Sequence, residues 1–184
     1  MGDITGIQWT DHTWNPWMGC DRVTAGCDHC YMFRDMPRYG KDPNVVKRTS
    51  DATFYKPLKT KKWATGDKVF VCSWSDFFHP DADEWRGEAW RVIRETPQYT
   101  YQILTKRSNR IANHLPDDWG RGYPNVWLGA TVENGTVGFR LNQLTAVPAV
   151  VHFVSYEPAL GPMGQWPGLA LAKINWLIIG GESG

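Results

Sequence analysis

Five short apolar runs set the rhythm of this chain, at residues 68–72, 101–104, 125–129, 150–154 and 175–179. Each is nearly continuous in aliphatic and aromatic side chains, the pattern of strands buried on both faces of a parallel sheet. Between the runs the period changes. Trp85, Ala89, Trp90 and Ile93 fall at helical spacing, as do Val137, Leu141 and Leu144. Ser108-Asn109 and Glu133-Asn134 stand where helix N-caps belong. The strand starts recur about every 25 to 30 residues, a length that suits βα units. A shorter strand over 7–10 precedes them and brings the count to six. Residues 31–36 read as a short helix stopped near Pro37. The pattern therefore predicts an α/β fold, a partial (βα)6 barrel in one domain spanning 1–184.

The residues at the strand ends carry the chemistry. The predicted ends read Thr10-Asp11-His12, Ser73-Trp74-Ser75-Asp76-Phe77-Phe78-His79, Thr105-Lys106-Arg107, Thr131-Val132-Glu133-Asn134, Ser155-Tyr156-Glu157-Pro158 and Gly180-Gly181-Glu182-Ser183-Gly184. In parallel α/β folds the site is built at the C-terminal edge, from loops of several strands. Taken singly, each of these residues suits a cap or a surface charge. Their recurrence on successive strand ends is the signal.

One loop on that edge stands apart. Cys20, Cys27 and Cys30, three of the four cysteines, lie within eleven residues in the spacing Cys-x6-Cys-x2-Cys. Thiols bunched on one loop, with Gly19 and Gly26 to free its backbone, can converge on a metal centre. A disulfide, or thiols that merely neighbour one another, are the alternatives. Residues 1–6 hold no basic run leading into an apolar core, and the most hydrophobic run, 174–181, is strand-sized. A cytoplasmic location is expected, where thiols stay reduced and metal is favoured over disulfide. The net charge of +1 gives no global pull on nucleic acid or membrane, so a polyanion would need a local patch.

Together these features resemble the radical SAM superfamily, a three-cysteine loop after the first strand of a six-unit TIM-like βα barrel. More closely, residues 7–184 look like the phage and bacterial three-cysteine-motif proteins of unknown function, treated as radical SAM-like. The resemblance is carried by Trp9-Thr10-Asp11, Trp14-Asn15-Pro16, Gly19-Cys20, Gly26-Cys27-Asp28-His29-Cys30-Tyr31, residues 73–79, Leu104-Thr105-Lys106-Arg107, residues 124–129, Ser155-Tyr156-Glu157-Pro158 and residues 180–184. It implies that Cys20, Cys27 and Cys30 ligate three irons of a [4Fe–4S] cluster whose fourth iron is chelated by S-adenosylmethionine. One-electron reduction would then yield methionine and a 5′-deoxyadenosyl radical. Tyr31 and His29 would pack beside the cluster or adenine. Ser73, Asp76, Lys106, Glu133 and Glu157 would hold cosubstrate or substrate, and Glu182 of Gly180-Gly181-Glu182 would take the methionine amino group. The resemblance also implies an electron donor, a three-Cys-motif partner protein and a further segment after residue 184. Two departures stand out: the common loop spacing is Cys-x3-Cys-x2-Cys, and the Gly-Gly-Glu motif usually ends the second strand.

Other readings remain open. A zinc-bearing nucleic-acid-binding module would complete Cys20, Cys27 and Cys30 with His29, His12 or Cys72, although Cys72 sits in a strand and reads as an ordinary buried thiol. A metal-free hydrolase would use Asp76, His79 and Glu157 as acid and base groups, and leaves the cysteines unexplained. Residues 40–68 mix lysines with Phe54, Tyr55 and Trp63. Such a segment suits a solvated connection better than a phosphate-tracking surface. A nucleotide or nucleic-acid substrate would draw on Lys59, Lys61 and Lys62 with Lys106 and Arg107.

Overall fold

The computed structural model describes residues 5–164 and 168–181. Its strands are β1 (His12–Trp14), β2 (Trp17–Met18), β3 (Lys47–Arg48), β4 (Lys68–Val71), β5 (Thr100–Thr105), β6 (Val126–Thr131), β7 (Val151–Tyr156) and β8 (Trp176–Ile179). The helices are α1 (Tyr31–Asp35), α2 (Asp51–Phe54), α3 (Lys56–Lys59), α4 (Asp83–Glu95), α5 (Phe139–Thr145) and α6 (Gly168–Leu171). Six strands form one all-parallel sheet in the order β1-β4-β5-β6-β7-β8, and β2 pairs with β3 as a separate antiparallel ribbon. None of the described helices is long and apolar enough to cross a membrane.

The ladder registers explain why the apolar runs are continuous. Val69, Tyr101 and Val126 lie side by side, as do Val71, Ile103 and Leu128. These six share a core with Ala89, Trp90, Val92 and Ile93 of α4 and with Phe54 of α2. The alternate positions, Phe70, Gln102 and Trp127, then Leu104, Gly129, Phe153 and Trp176, fall on the other face. Strands covered on both faces need apolar residues at both parities.

That second face is concave. Strands β4 and β8 lie four places apart, about 19 Å in a flat sheet at ~4.8 Å per strand. Yet the Trp9 ring touches both, at 4.7 Å from Phe70 and 6.0 Å from Trp176. Only a strongly curved sheet allows this. The described sheet stays open: its edge strands β1 and β8 do not pair, so it is not a closed barrel.

Two sequence expectations need correction. The first strand is His12–Trp14, not 7–10. Asp11 exchanges bonds with the Lys68 backbone (Asp11 N to Lys68 O 3.0 Å, Lys68 N to Asp11 Oδ2 2.8 Å) and starts the ladder, while Trp9 fills the concave face. Thr10-Asp11-His12 therefore lies at the N-terminal edge of the sheet, and the residue after β1 is Asn15. Between β5 and β6 no α-helix forms among the described residues; two 3-10 turns, Ser108–Arg110 and Ala112–His114, stand there. Pro116, Pro124 and the positive-φ glycines Gly120 and Gly122 break the pattern. Trp119 and Tyr123 pack on Trp90 instead, at 5.4 and 6.2 Å. The helix α1 ends at Asp35, next to the expected stop at Pro37, and the chain then tightens into a 3-10 turn, Met36–Tyr39, ended by Gly40 at φ 66°.

Candidate functional site

The cysteine loop is held over the C-terminal ends of the strands by identifiable bonds. Gly19 begins it at φ 100°, where an added Cβ would fall 2.3 Å from the Val45 carbonyl oxygen, so only glycine fits. Its amide donates to Trp74 O (3.0 Å), and its carbonyl accepts from the Ser75 hydroxyl (2.6 Å). The Cys20 amide donates to Pro43 O at 2.8 Å. The two Gly19 bonds fasten the loop's start to the segment after β4.

Its middle is fastened to β6. The Thr24 hydroxyl donates to Glu133 Oε1, and a Cβ on Gly26 would fall 2.8 Å from that same oxygen. Glu133 Oε2 accepts from Arg140 Nη1 at 2.7 Å, and Arg140 also donates to Thr131 O at 2.8 Å. Both carboxylate oxygens are thus engaged inside the protein. The loop's end runs into α1, where the Tyr31 hydroxyl donates to Ser73 O. Burial pushes the Tyr31 phenol up, with the charges of Cys30 and Glu157 adding to it.

All four cysteines are free thiols. Cys27 is buried, while Cys20 and Cys30 are half-buried against the Met18, Met32 and Met36 cluster with Phe33 and Trp74. Cys20 Sγ accepts from Arg107 Nη1 at 3.6 Å. Burial pushes its thiol up to about 12, with Asp76 adding and Arg107 opposing. Asp21 accepts from both Arg107 Nη2 and the His79 ring. Its burial works upward, but Arg107 and His79 outweigh that and hold the carboxyl below its usual value. Cys72 follows β4 in the left-handed region (φ 61°), fully enclosed, and its thiol is pushed well up by burial.

The remaining candidates sort by whether their polar groups are already used. Ser73 Oγ accepts from the Asn15 side chain at 3.1 Å. Asp76 accepts from Thr105 Oγ1 (2.7 Å), Phe78 N (2.8 Å) and Lys106 N (3.0 Å), so it joins the ends of β4 and β5. The Lys106 ammonium and the Glu157 carboxylate are different. Both are half-buried on the rim, with no hydrogen-bond or ion-pair partner among the described residues. Gly180 makes room for Glu157: a Cβ there would fall 2.8 Å from the carboxylate. Glu182 lies outside the described residues.

Other expected participants are placed elsewhere. His12 bonds Asp67 (2.7 Å) and stacks on Trp63 at the N-terminal edge, and His29 is exposed on the loop. His79 bonds Asp21 and accepts from Asp81 N rather than joining Asp76 and Glu157. Lys59 lies over Tyr55 at 5.7 Å in α3, and Lys61 and Lys62 come after it toward the N-terminal start of β4. Lys106 and Arg107 stand just past the C-terminal end of β5. The structure does not gather these cations into one patch.

Sequence reasoning missed Asn15, Asp21, Thr24 and Arg140 as parts of this site. Asp21 had a signal in its place beside Cys20. Arg140 had none, because an arginine on an amphipathic segment normally faces water.

The donor chemistry discriminates between metals. Thiolates 2.3 Å from a single zinc sit about 3.8 Å apart in a tetrahedron. Among the described residues, the donors gathered within 4.8 Å of one another are Cys20 Sγ, an Asp21 oxygen and a His79 nitrogen, without Cys27 or Cys30. Two of those three already bond the Arg107 guanidinium, a cation in its own right. Three free thiols spread more widely over one loop fit a polynuclear cluster better than one ion.

No curated protein and no solved structure matches this sequence. A family model does match, over residues 4–184 and so nearly the whole chain. The chain belongs to the family described as protein of unknown function (DUF5131).

Proposed function

We propose that this chain is an iron–sulfur protein of the radical SAM type, with Cys20, Cys27 and Cys30 holding a [4Fe–4S] cluster at the mouth of a partial TIM-like barrel. Bound there, the cluster would supply one-electron reductive cleavage of S-adenosylmethionine to methionine and a 5′-deoxyadenosyl radical, using a low-potential electron donor. The observation that carries this reading is the loop itself: three free thiols, tied by Gly19 and Tyr31 to the segment after β4 and by Thr24 to Glu133 after β6.

The chain's own residues divide the remaining work. Glu157, beside Tyr31 and without a hydrogen-bond or ion-pair partner among the described residues, suits the ammonium or ribose hydroxyls of the cosubstrate. Lys106, on the same rim and without a side-chain partner among the described residues, suits a carboxylate, or a phosphate of a nucleotide or nucleic-acid substrate. Asp76 and Glu133 support the site by fixing strand ends and loop. Tyr31, Phe33 and Trp74 line the cysteines with rings that limit water.

Anaerobic purification with iron, sulfide and zinc quantified is the test. The expected result is about four irons and four sulfides per chain, lost in Cys20→Ala, Cys27→Ala and Cys30→Ala. 5′-Deoxyadenosine should then form on reduction with S-adenosylmethionine. A second reading, a zinc-bearing nucleic-acid-binding module without radical chemistry, draws on the close Cys20, Asp21 and His79 donors. Stoichiometric zinc without sulfide would select it.

A further inference from the structure

Arg107 is the one guanidinium bonded to a cysteine of the loop among the described residues. It stands just past β5, and its side chain is only 9% exposed. Nη1 reaches Cys20 Sγ at 3.6 Å and Asp76 Oδ2 at 3.5 Å, while Nη2 donates to Asp21 O at 3.3 Å and to the Asp21 carboxylate. Its backbone amide donates to Thr105 Oγ1 at 2.8 Å, which fixes the residue to the strand end. The planar fork thus spans a sulfur and two carboxylates at once, a task lysine cannot copy.

We propose that Arg107 sets the reduction potential of the metal centre held by the cysteine loop, by donating a hydrogen bond to Cys20 Sγ and placing a positive charge beside it. This rests on the iron–sulfur reading above. Adding one electron makes the centre more negative. A fixed cation and an N–H···S bond at a ligand favour that more negative state and raise the potential. Asp21 and Asp76 act in the opposite sense. With Arg107 gone they would face Cys20 without their cation, which reinforces the fall.

The test is a redox titration of anaerobic, iron- and sulfide-quantified protein, monitored by visible absorption and electron paramagnetic resonance, with dithionite as reductant and no turnover. Arg107→Gln should lower the reduced-to-oxidised ratio at a fixed potential about tenfold, a midpoint about 59 mV more negative. Arg107→Lys, which keeps charge but loses the fork, should fall between. Asp21→Asn removes a negative charge and should move the midpoint the other way. A purely structural role for Arg107 would not give opposite signs for these two positions. Should Arg107→Gln fail to fold, Arg107→Lys and Asp21→Asn decide the matter by their directions. Unchanged midpoints with full iron and sulfide would overturn the role of Arg107 alone. Wild-type protein lacking iron and sulfide would overturn the iron–sulfur reading and this inference together.

Discussion

Glu133 and Arg140 form a 2.7 Å ion pair in which each residue is only 1% exposed. The pair sits beneath the cysteine loop, and Glu133 reaches up to Thr24 from it. Breaking a buried pair from one side leaves an uncompensated charge, at a cost of about 3–5 kcal/mol. Glu133→Ala should lose stability on that scale in urea denaturation. Removing both charges with Glu133→Leu and Arg140→Met should lose less than the sum of the single changes. Simple additivity would show that the pair is not coupled as the geometry requires.

Gly19 fails differently. Gly19→Ala would meet the Val45 carbonyl and hold a side chain at φ 100°. Strain of about 1–3 kcal/mol is expected, released by lifting the loop's start from the segment after β4. Faster labelling of Cys20 by a thiol reagent in Gly19→Ala than in wild type, in metal-free protein, would report that lifting. Equal labelling rates would show that the loop tolerates the change.

Glu157 offers a cleaner functional substitution, because among the described residues it makes no hydrogen bond or ion pair; its charge acts only through space, on the Tyr31 phenol. Glu157→Gln should leave the denaturation midpoint within about 0.5 kcal/mol of wild type. Affinity for S-adenosylmethionine, measured by anaerobic calorimetry, should weaken about 10- to 100-fold, the value of one charge-assisted hydrogen bond. Unaltered binding would remove Glu157 from the cosubstrate's contacts.

Acid sensitivity has a locatable source at the start of α4. Burial would raise the Asp83 carboxyl, but hydrogen bonds from Arg86 and Arg110 prevail and bring it down to about 2. A lowered folded value means the contribution is fully present above the unfolded carboxylate range near ~4. It fades as pH falls from there toward about 2. Asp83→Asn should therefore be less stable than wild type at about pH 6 and approach it at about pH 2. A stability gap that stays constant across that range would contradict the assignment.

The sequence and the structure part company at particular residues. Strands β4 to β8 were legible because each is a nearly continuous apolar run; β4 to β7 are largely enclosed, whereas Leu177 and Ile179 of β8 stand exposed. β1 was not: its three residues mix His12 and Thr13 with Trp14, and the ladder is started by Asp11 bonding backbone, which looks polar in sequence. The loop's glycines were read as freeing its backbone; Gly19 does so at φ 100°, whereas Gly26 has no positive φ and instead leaves room for the Glu133 side chain. The division between committed and open charges was invisible. Asp76 and Glu157 read alike as strand-end acids. Only three-dimensional neighbours reveal that one is saturated by Thr105, Phe78 and Lys106 while the other has no partner among the described residues.

Trp9 ties the first described residues to the last described strand, by ring contacts with Phe70 and Trp176. Such a contact cannot form until β4 through β8 have assembled and bent, because its two halves are separated by nearly the whole sequence. Closing so long a loop is entropically costly and comes late in folding. The indole at position 9 should therefore report the final step of assembly, after the central strands have paired. Its replacement by alanine should speed unfolding more than it slows folding.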